Sequence, residues 1–175
     1  MKDGTSKKKT FTNTLYNKSD GYTLIELLVV IVIATLLFGF AYASYRGFAQ
    51  RQALLATARI MEGDIRKTQN FASSSYTPAS CSPLDGYLFE INTSDSSYSA
   101  SPVCGGGKGN AVLAASLGST YSLSINGASS ILFKPLGVGT NIDSDLVIVT
   151  ITQVTTNNLV YLDILKSGEV RIRTQ

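Results

Sequence analysis

From Leu27 to Tyr45 the chain runs for 19 residues without a charged side chain. At about 1.5 Å of rise per residue, a helix over this run is roughly 28 Å long, close to the ~30 Å hydrocarbon core of a bilayer. A buried helix of a soluble fold is the bland alternative, but such a helix rarely stays apolar all round for this length. A lysine-rich stretch precedes the run. Residues 1–21 hold Lys2, Lys7, Lys8, Lys9 and Lys18 against Asp3 and Asp20, which accounts for the whole formal charge of +3. The positive-inside rule then predicts a single pass through the plasma (inner) membrane, with residues 1–21 cytoplasmic and the C-terminal part extracytoplasmic. A secretory signal is the competing reading, because Ala41-Tyr42-Ala43 before Ser44 has the small-x-small cleavage pattern. The apolar stretch, however, is longer than the 7–15 residues usual there and begins directly after a carboxylate.

Composition narrows the chemistry. The 175 residues are 44% apolar and only 15% charged, against about 25% charged in typical soluble domains. There is no histidine, so a Ser-His-Asp triad, a Cys-His dyad and any imidazole metal site are excluded. Two cysteines cannot make a four-cysteine zinc site. Residues 22–175 carry ten basic and ten acidic side chains, which does not support a strongly basic nucleic-acid binder. No cluster of acids or nucleophiles points to an enzyme, and no cofactor is implied.

Glu26 is the odd residue, a carboxylate at the start of the apolar run, where charge in hydrocarbon costs on the order of 2–3 kcal/mol. It belongs to Gly21-Tyr22-Thr23-Leu24-Ile25-Glu26-Leu27-Leu28-Val29-Val30, which resembles the processing site of type IV prepilins: a short basic leader ending in glycine, an aromatic residue, a glutamate four residues later, then an apolar run. The resemblance implies cleavage after Gly21 by a membrane prepilin peptidase and N-methylation of the new terminus at Tyr22. It further implies that Glu26 pairs with the Tyr22 amine of a neighbouring subunit during assembly, giving a buried carboxylate its partner. Tyr22 replaces the commoner phenylalanine. Ala43 stands where many major pilins carry proline, so no proline kink is expected.

The helical pattern continues beyond Tyr45. Leu54, Ala58, Met61, Ile65 and Ala72 form one stripe, with Arg51, Arg59, Glu62 and Arg66 elsewhere on the surface. A helix from Tyr22 to about Ser75 is expected, ended by Ser73-Ser74-Ser75 and Pro78. Then the period changes. Tyr87–Ile91, Tyr121–Ile125, Ile131–Lys134, Leu146–Thr152, Leu159–Ile164 and Glu169–Arg173 read as six short strands, with turn signals at Asn126-Gly127, Asn157-Asn158 and Ser167-Gly168. The expected fold class is α+β: a long N-terminal helix, half transmembrane and half amphipathic, packed on an antiparallel head. The domain reading is 1–21 leader, 22–45 transmembrane or filament-core helix, 46–75 amphipathic half, and 76–175 head.

Ile131–Gly137, the Leu146–Thr152 strand and the closing Ser167–Arg173 resemble the C-terminal pattern of the GspH/FimT branch, which holds minor pseudopilins of type II secretion and minor pilins of type IV pili. The resemblance implies a structural subunit assembled with other pilin or pseudopilin subunits into a pseudopilus or pilus. The alternative is a FimT-like DNA-binding minor pilin for natural transformation. DNA-uptake members carry a C-terminal glycine-arginine motif, here Gly168, Arg171 and Arg173, although Glu169 follows the glycine. Arg171 and Arg173 lie two apart on one strand face.

Three smaller features complete the reading. In an extracytoplasmic head Cys81 and Cys104 are expected to form a disulfide, with two separate thiols as the alternative. Gly105-Gly106-Gly107-Lys108-Gly109 lacks the Ser/Thr of a phosphate loop and reads as a surface loop. Asp143 and Asp145 could share a cation, but with no further acid nearby a solvated turn is expected and no metal is assigned.

Overall fold

The computed structural model describes residues 21–78 and 81–174; all of the basic leader but Gly21 lies outside them. The chain divides into two compact units, one ending at Ala43 and one running from Ser44. A single helix, α1 (Leu24–Ser73), contributes to both. It starts two residues later than the sequence pattern suggests, because Thr23 caps it. In the first unit its large apolar side chains are exposed, from Leu24 through Phe40. Thr35, the hydroxyl inside this apolar stretch, donates to the Val32 carbonyl at 2.9 Å, so its polar group is satisfied within the helix.

In the second unit the stripe Leu54, Ala58, Met61, Ile65 and Ala72 is buried, each residue 2% exposed or less. Thr68, on the same face, is also buried and donates to the Asp64 carbonyl. The helix ends in a Schellman motif. Tyr76 N–H reaches the Phe71 carbonyl, Ser75 N–H reaches the Ala72 carbonyl, and the Phe71 and Tyr76 rings meet at 5.5 Å. Ser75 takes the left-handed position, at φ 50°. The Tyr87 hydroxyl donates to the Tyr76 carbonyl, tying this terminus to the sheet beside it.

The six expected strands are present with shifted ends, and three more join them. They are β1 (Leu84–Asn92), β2 (Ser97–Cys104), β3 (Gly107–Lys108), β4 (Leu113–Ser116), β5 (Tyr121–Asn126), β6 (Ser130–Phe133), β7 (Leu146–Gln153), β8 (Leu159–Leu165) and β9 (Val170–Thr174). They form two antiparallel sheets, one with β6-β1-β2 flanked by β3 and β4, the other β5-β7-β8-β9. The pattern missed β2, β3 and β4 because they are rich in Ser, Ala, Gly and Pro, which carry weak strand preference. Pro102 is tolerated inside β2 because β4 pairs with Ser97–Ala100 and β3 with Val103–Cys104. Its missing donor falls at the break between those two partners.

Tyr87, Phe89, Ile131 and Phe133 from one sheet and Val147, Val149, Ile151, Leu162 and Ile164 from the other form one core with the helix stripe. The sheets are stitched at Ser96, which is buried and left-handed at φ 51°. Its hydroxyl accepts the Leu123 N–H of β5, and its carbonyl accepts the Leu117 N–H.

Glycine is the ordinary residue for the left-handed position that Ser75 occupies. Ser75→Gly is therefore expected to stabilise the protein by about 0.5–1 kcal/mol, read as a higher urea midpoint of the detergent-solubilised chain. An unchanged or lower midpoint would contradict this account of the helix terminus.

Candidate functional site

At the N-terminal end, Gly21, Tyr22 and Thr23 are exposed and precede the helix. Thr23 is the cap: its hydroxyl accepts the Glu26 N–H at 3.2 Å, and its carbonyl accepts the Leu27 N–H at 3.1 Å. Thr23-x-x-Glu26 is the spacing of a capping box, a signal legible in the sequence that the reading of Glu26 as an assembly residue overlooked. The Gly21–Tyr22 peptide bond thus lies two residues outside the first helical turn, in irregular exposed chain. Such a bond can enter a peptidase cleft without unwinding a helix. Glu26, the acidic residue of the first turn, sits where the helix dipole favours negative charge. Tyr22, Glu26, Leu27, Val30 and Ile31 share one surface, so Glu26 and Tyr22 border the same apolar face.

In the second unit, Cys81 and Cys104 are bonded, with Cα atoms 5.1 Å apart. The bond joins the chain just after the helix to the end of β2. The glycine-rich segment is the β2–β3 turn. Its Gly106 N–H donates to the Asp85 carboxylate at 2.7 Å, and Lys108 pairs with Glu90. The amide and the cation that a phosphate would need are thus already engaged. Asp143 and Asp145 are exposed beside Ser144 before β7. They belong to no group of three or more candidate ligands among the described residues.

Arg171 and Arg173 both lie on β9, and each is held by a carboxylate. Arg171 binds Glu169 at 2.7 Å. Arg173 binds Asp163 at 3.1 Å and lies over the Tyr161 ring at 4.6 Å. The hydrogen bond from Arg171 holds the Glu169 carboxyl below its ordinary range, and both arginines are raised, chiefly by their carboxylate bonds. Glu169 was visible in the sequence as a neighbour. Asp163 was not, because only the β8–β9 register brings it to β9. A third arginine, Arg66, binds Glu62 at 2.7 Å and also donates to the Val170 carbonyl.

Two further polar contacts escaped the sequence pattern. The Tyr98 hydroxyl on β2 donates to the Asp64 carboxylate at 2.7 Å. Burial, then that bond, raise its pKa well above the usual tyrosine value. Gln69 donates to the Gly168 carbonyl, fixing the β8–β9 turn to the helix. Nearby, Leu136 and Val138 stand exposed on the Pro135–Gly139 turn.

A family model described as the prokaryotic N-terminal methylation motif matches residues 16–42. Among solved structures, the fold is similar to the minor pseudopilin EpsH from the Type 2 Secretion System of Vibrio cholerae. The TM-score is 0.52 at 9% identity, over 69% of this chain and 96% of that one. At that identity the likeness shows the fold. No curated protein matches the sequence. The chain thus carries a prepilin-type methylation motif on a pilin-like α+β fold.

A bond closing a loop of 23 residues is expected to contribute about 3 kcal/mol in the chain-entropy treatment. The Cys81→Ser, Cys104→Ser double variant should lose about that much in urea denaturation, and reduction of the unmodified protein should do the same. A loss under about 1 kcal/mol would show that the bond does not constrain the unfolded chain as that treatment supposes.

Proposed function

We propose that this chain is a minor pilin or pseudopilin, a structural subunit that is stored in the membrane, processed, and assembled with other pilin-type subunits. The observation that carries the reading is the arrangement at the N-terminus. A Gly21–Tyr22 bond stands just outside a capped helix, and that helix presents an uncharged run whose large apolar side chains are exposed among the described residues. Apolar surface of that extent needs lipid or other subunits around it. The likeness of the fold to a pseudopilin supports the same reading.

In this reading residues 1–21 are a cytoplasmic leader removed by a prepilin peptidase. Residues 22–45 span the plasma membrane before assembly and enter the filament core after it, residues 46–75 are the amphipathic half of the helix, and residues 76–175 are the extracytoplasmic head. Tyr22 becomes the N-methylated terminus. Glu26 leaves the bilayer interface only when a neighbour's Tyr22 amine neutralises it, which turns a costly buried charge into a device for register. A type II secretion pseudopilus and a type IV pilus both accommodate such a subunit. The chain does no chemistry of its own in either.

The DNA-binding alternative finds less support. A phosphate would have to displace Glu169 from Arg171 and Asp163 from Arg173, and the remaining charge of residues 22–175 is balanced. Arg171→Ala with Arg173→Ala is expected to change DNA retention by the purified protein less than about twofold, where two true phosphate contacts would weaken it and flatten its salt dependence.

The direct test is intact mass and N-terminal peptide mapping of protein extracted from cells with an active prepilin peptidase. The expected terminus is N-methylated Tyr22. An intact Met1 form, or a terminus at Ser44, would overturn the reading. Glu26→Leu should be cleaved normally yet be missing from sheared filaments; its recovery there at the unmodified level would remove the assembly role.

A further inference from the structure

In the second unit a groove of about 560 Å³ opens between the start of that unit's helical segment and the β7–β8 turn. Phe48, Leu55 and Leu159 supply apolar lining, and Arg51, Gln52 and Asn157 supply polar lining. No acidic side chain lines it. Arg51 has no ion pair among the described residues, unlike Arg66, Arg171 and Arg173. The Asn157 backbone is left-handed, at φ 54°, and its N–H is spent on the Gln153 carbonyl. Its side-chain amide makes no hydrogen bond among the described residues, and Asn157 lines the groove.

Position supplies the second line of argument. Phe48 and Arg51 follow Tyr45, the last residue of the uncharged run, by three and six positions. Helical rise puts them about 4–5 Å and about 9 Å beyond it. A bilayer about 40–45 Å thick overall, with a ~30 Å core, has a headgroup layer of about 5–8 Å on each side. Helical side chains lean toward the helix N-terminus, so the long Arg51 side chain reaches back toward that layer. Its guanidinium suits a phosphodiester geometrically, since it presents a planar fork of donors. The apolar lining suits the glycerol and upper acyl carbons.

We propose that this groove binds the headgroup of an anionic phospholipid, with Arg51 on the phosphate, Gln52 and Asn157 as further donors, and Phe48 against the upper acyl chain. The proposal rests on the membrane-stored state argued above. It gives that state a fixed depth in the bilayer and a lipid that must be shed when the subunit leaves for the filament. The lining offers no carboxylate to pair with the ammonium of a zwitterionic lipid, so the net negative phosphatidylglycerol-type headgroup is the favoured ligand for Arg51.

The test uses the full chain in vesicles of phosphatidylcholine with or without phosphatidylglycerol. Flotation reports membrane residence, and native mass spectrometry of the extracted protein reports retained lipid. The unmodified chain should float with both vesicles and retain phosphatidylglycerol. Arg51→Gln should float equally but retain about fivefold less, the weight of one basic residue at an anionic surface. Asn157→Gly, which suits the left-handed backbone, should lose retention to a smaller extent. Arg59→Gln lies outside the groove, eight positions farther along the helix, and should behave as unmodified. Inorganic phosphate should not displace the lipid. Equal retention by Arg51→Gln and the unmodified chain would overturn the site, as would displacement by inorganic phosphate, which would mark a free-anion site. Failure of every form to float would instead overturn the membrane-stored reading on which the proposal depends.

Discussion

Each sheet of the head has one apolar face, and both faces find cover on a single helix stripe. Ala58, Met61 and Ile65 are fully buried in the core that both sheets share. Truncating a core side chain such as Met61 or Ile65 to alanine typically costs about 2–5 kcal/mol, a large share of the stability of a small domain. The polar contacts confirm the arrangement and refine it. Tyr98 reaches Asp64 from one sheet, while Arg66 and Gln69 reach Val170 and Gly168 from the other. Each of these helix groups lies next to the stripe, so the contacts become available only once the stripe is in place.

Among the described residues, most ion pairs of the second unit lie within a strand, a hairpin or one helical turn: Glu62 with Arg66, Glu169 with Arg171, Asp163 with Arg173. Exposed pairs of this kind contribute little stability, but they neutralise the surface. An edge strand carrying two paired arginines also resists joining a second sheet. The consequence is balanced charge over residues 22–175, ten basic side chains against ten acidic. Arg51, like Arg59, has no ion pair among the described residues, and it lies beside the end of the uncharged run.

The first unit is built on the opposite principle. Among the described residues, the large apolar side chains of residues 24–40 stay exposed, while Thr35 is satisfied by Val32 and Thr23 takes the Glu26 and Leu27 N–H groups of the first turn. Such a helix is complete as a hydrogen-bonded object and incomplete as a hydrophobic one. Its stability depends on an apolar environment supplied from outside these residues.

The sequence by itself determined the features that depend on local periodicity. The 19-residue uncharged run and the buried stripe from Leu54 to Ala72 follow from spacing along one helix, because helical geometry places residues by their number alone, while the motif that begins at Gly21 was legible only as a resemblance. Six strands showed in the same way, through β-branched and aromatic alternation. The tertiary structure decided whatever depends on partners distant in the chain. Strand β2, rich in serine and interrupted by Pro102, exists because β1 and β4 supply its hydrogen bonds. The state of Arg173 follows from the register that brings Asp163 across from β8. The groove beside Arg51 joins residues 48–55 to 157–160. Sequence distance carries no information about such pairings, since they are set by how two apolar sheets share one helix.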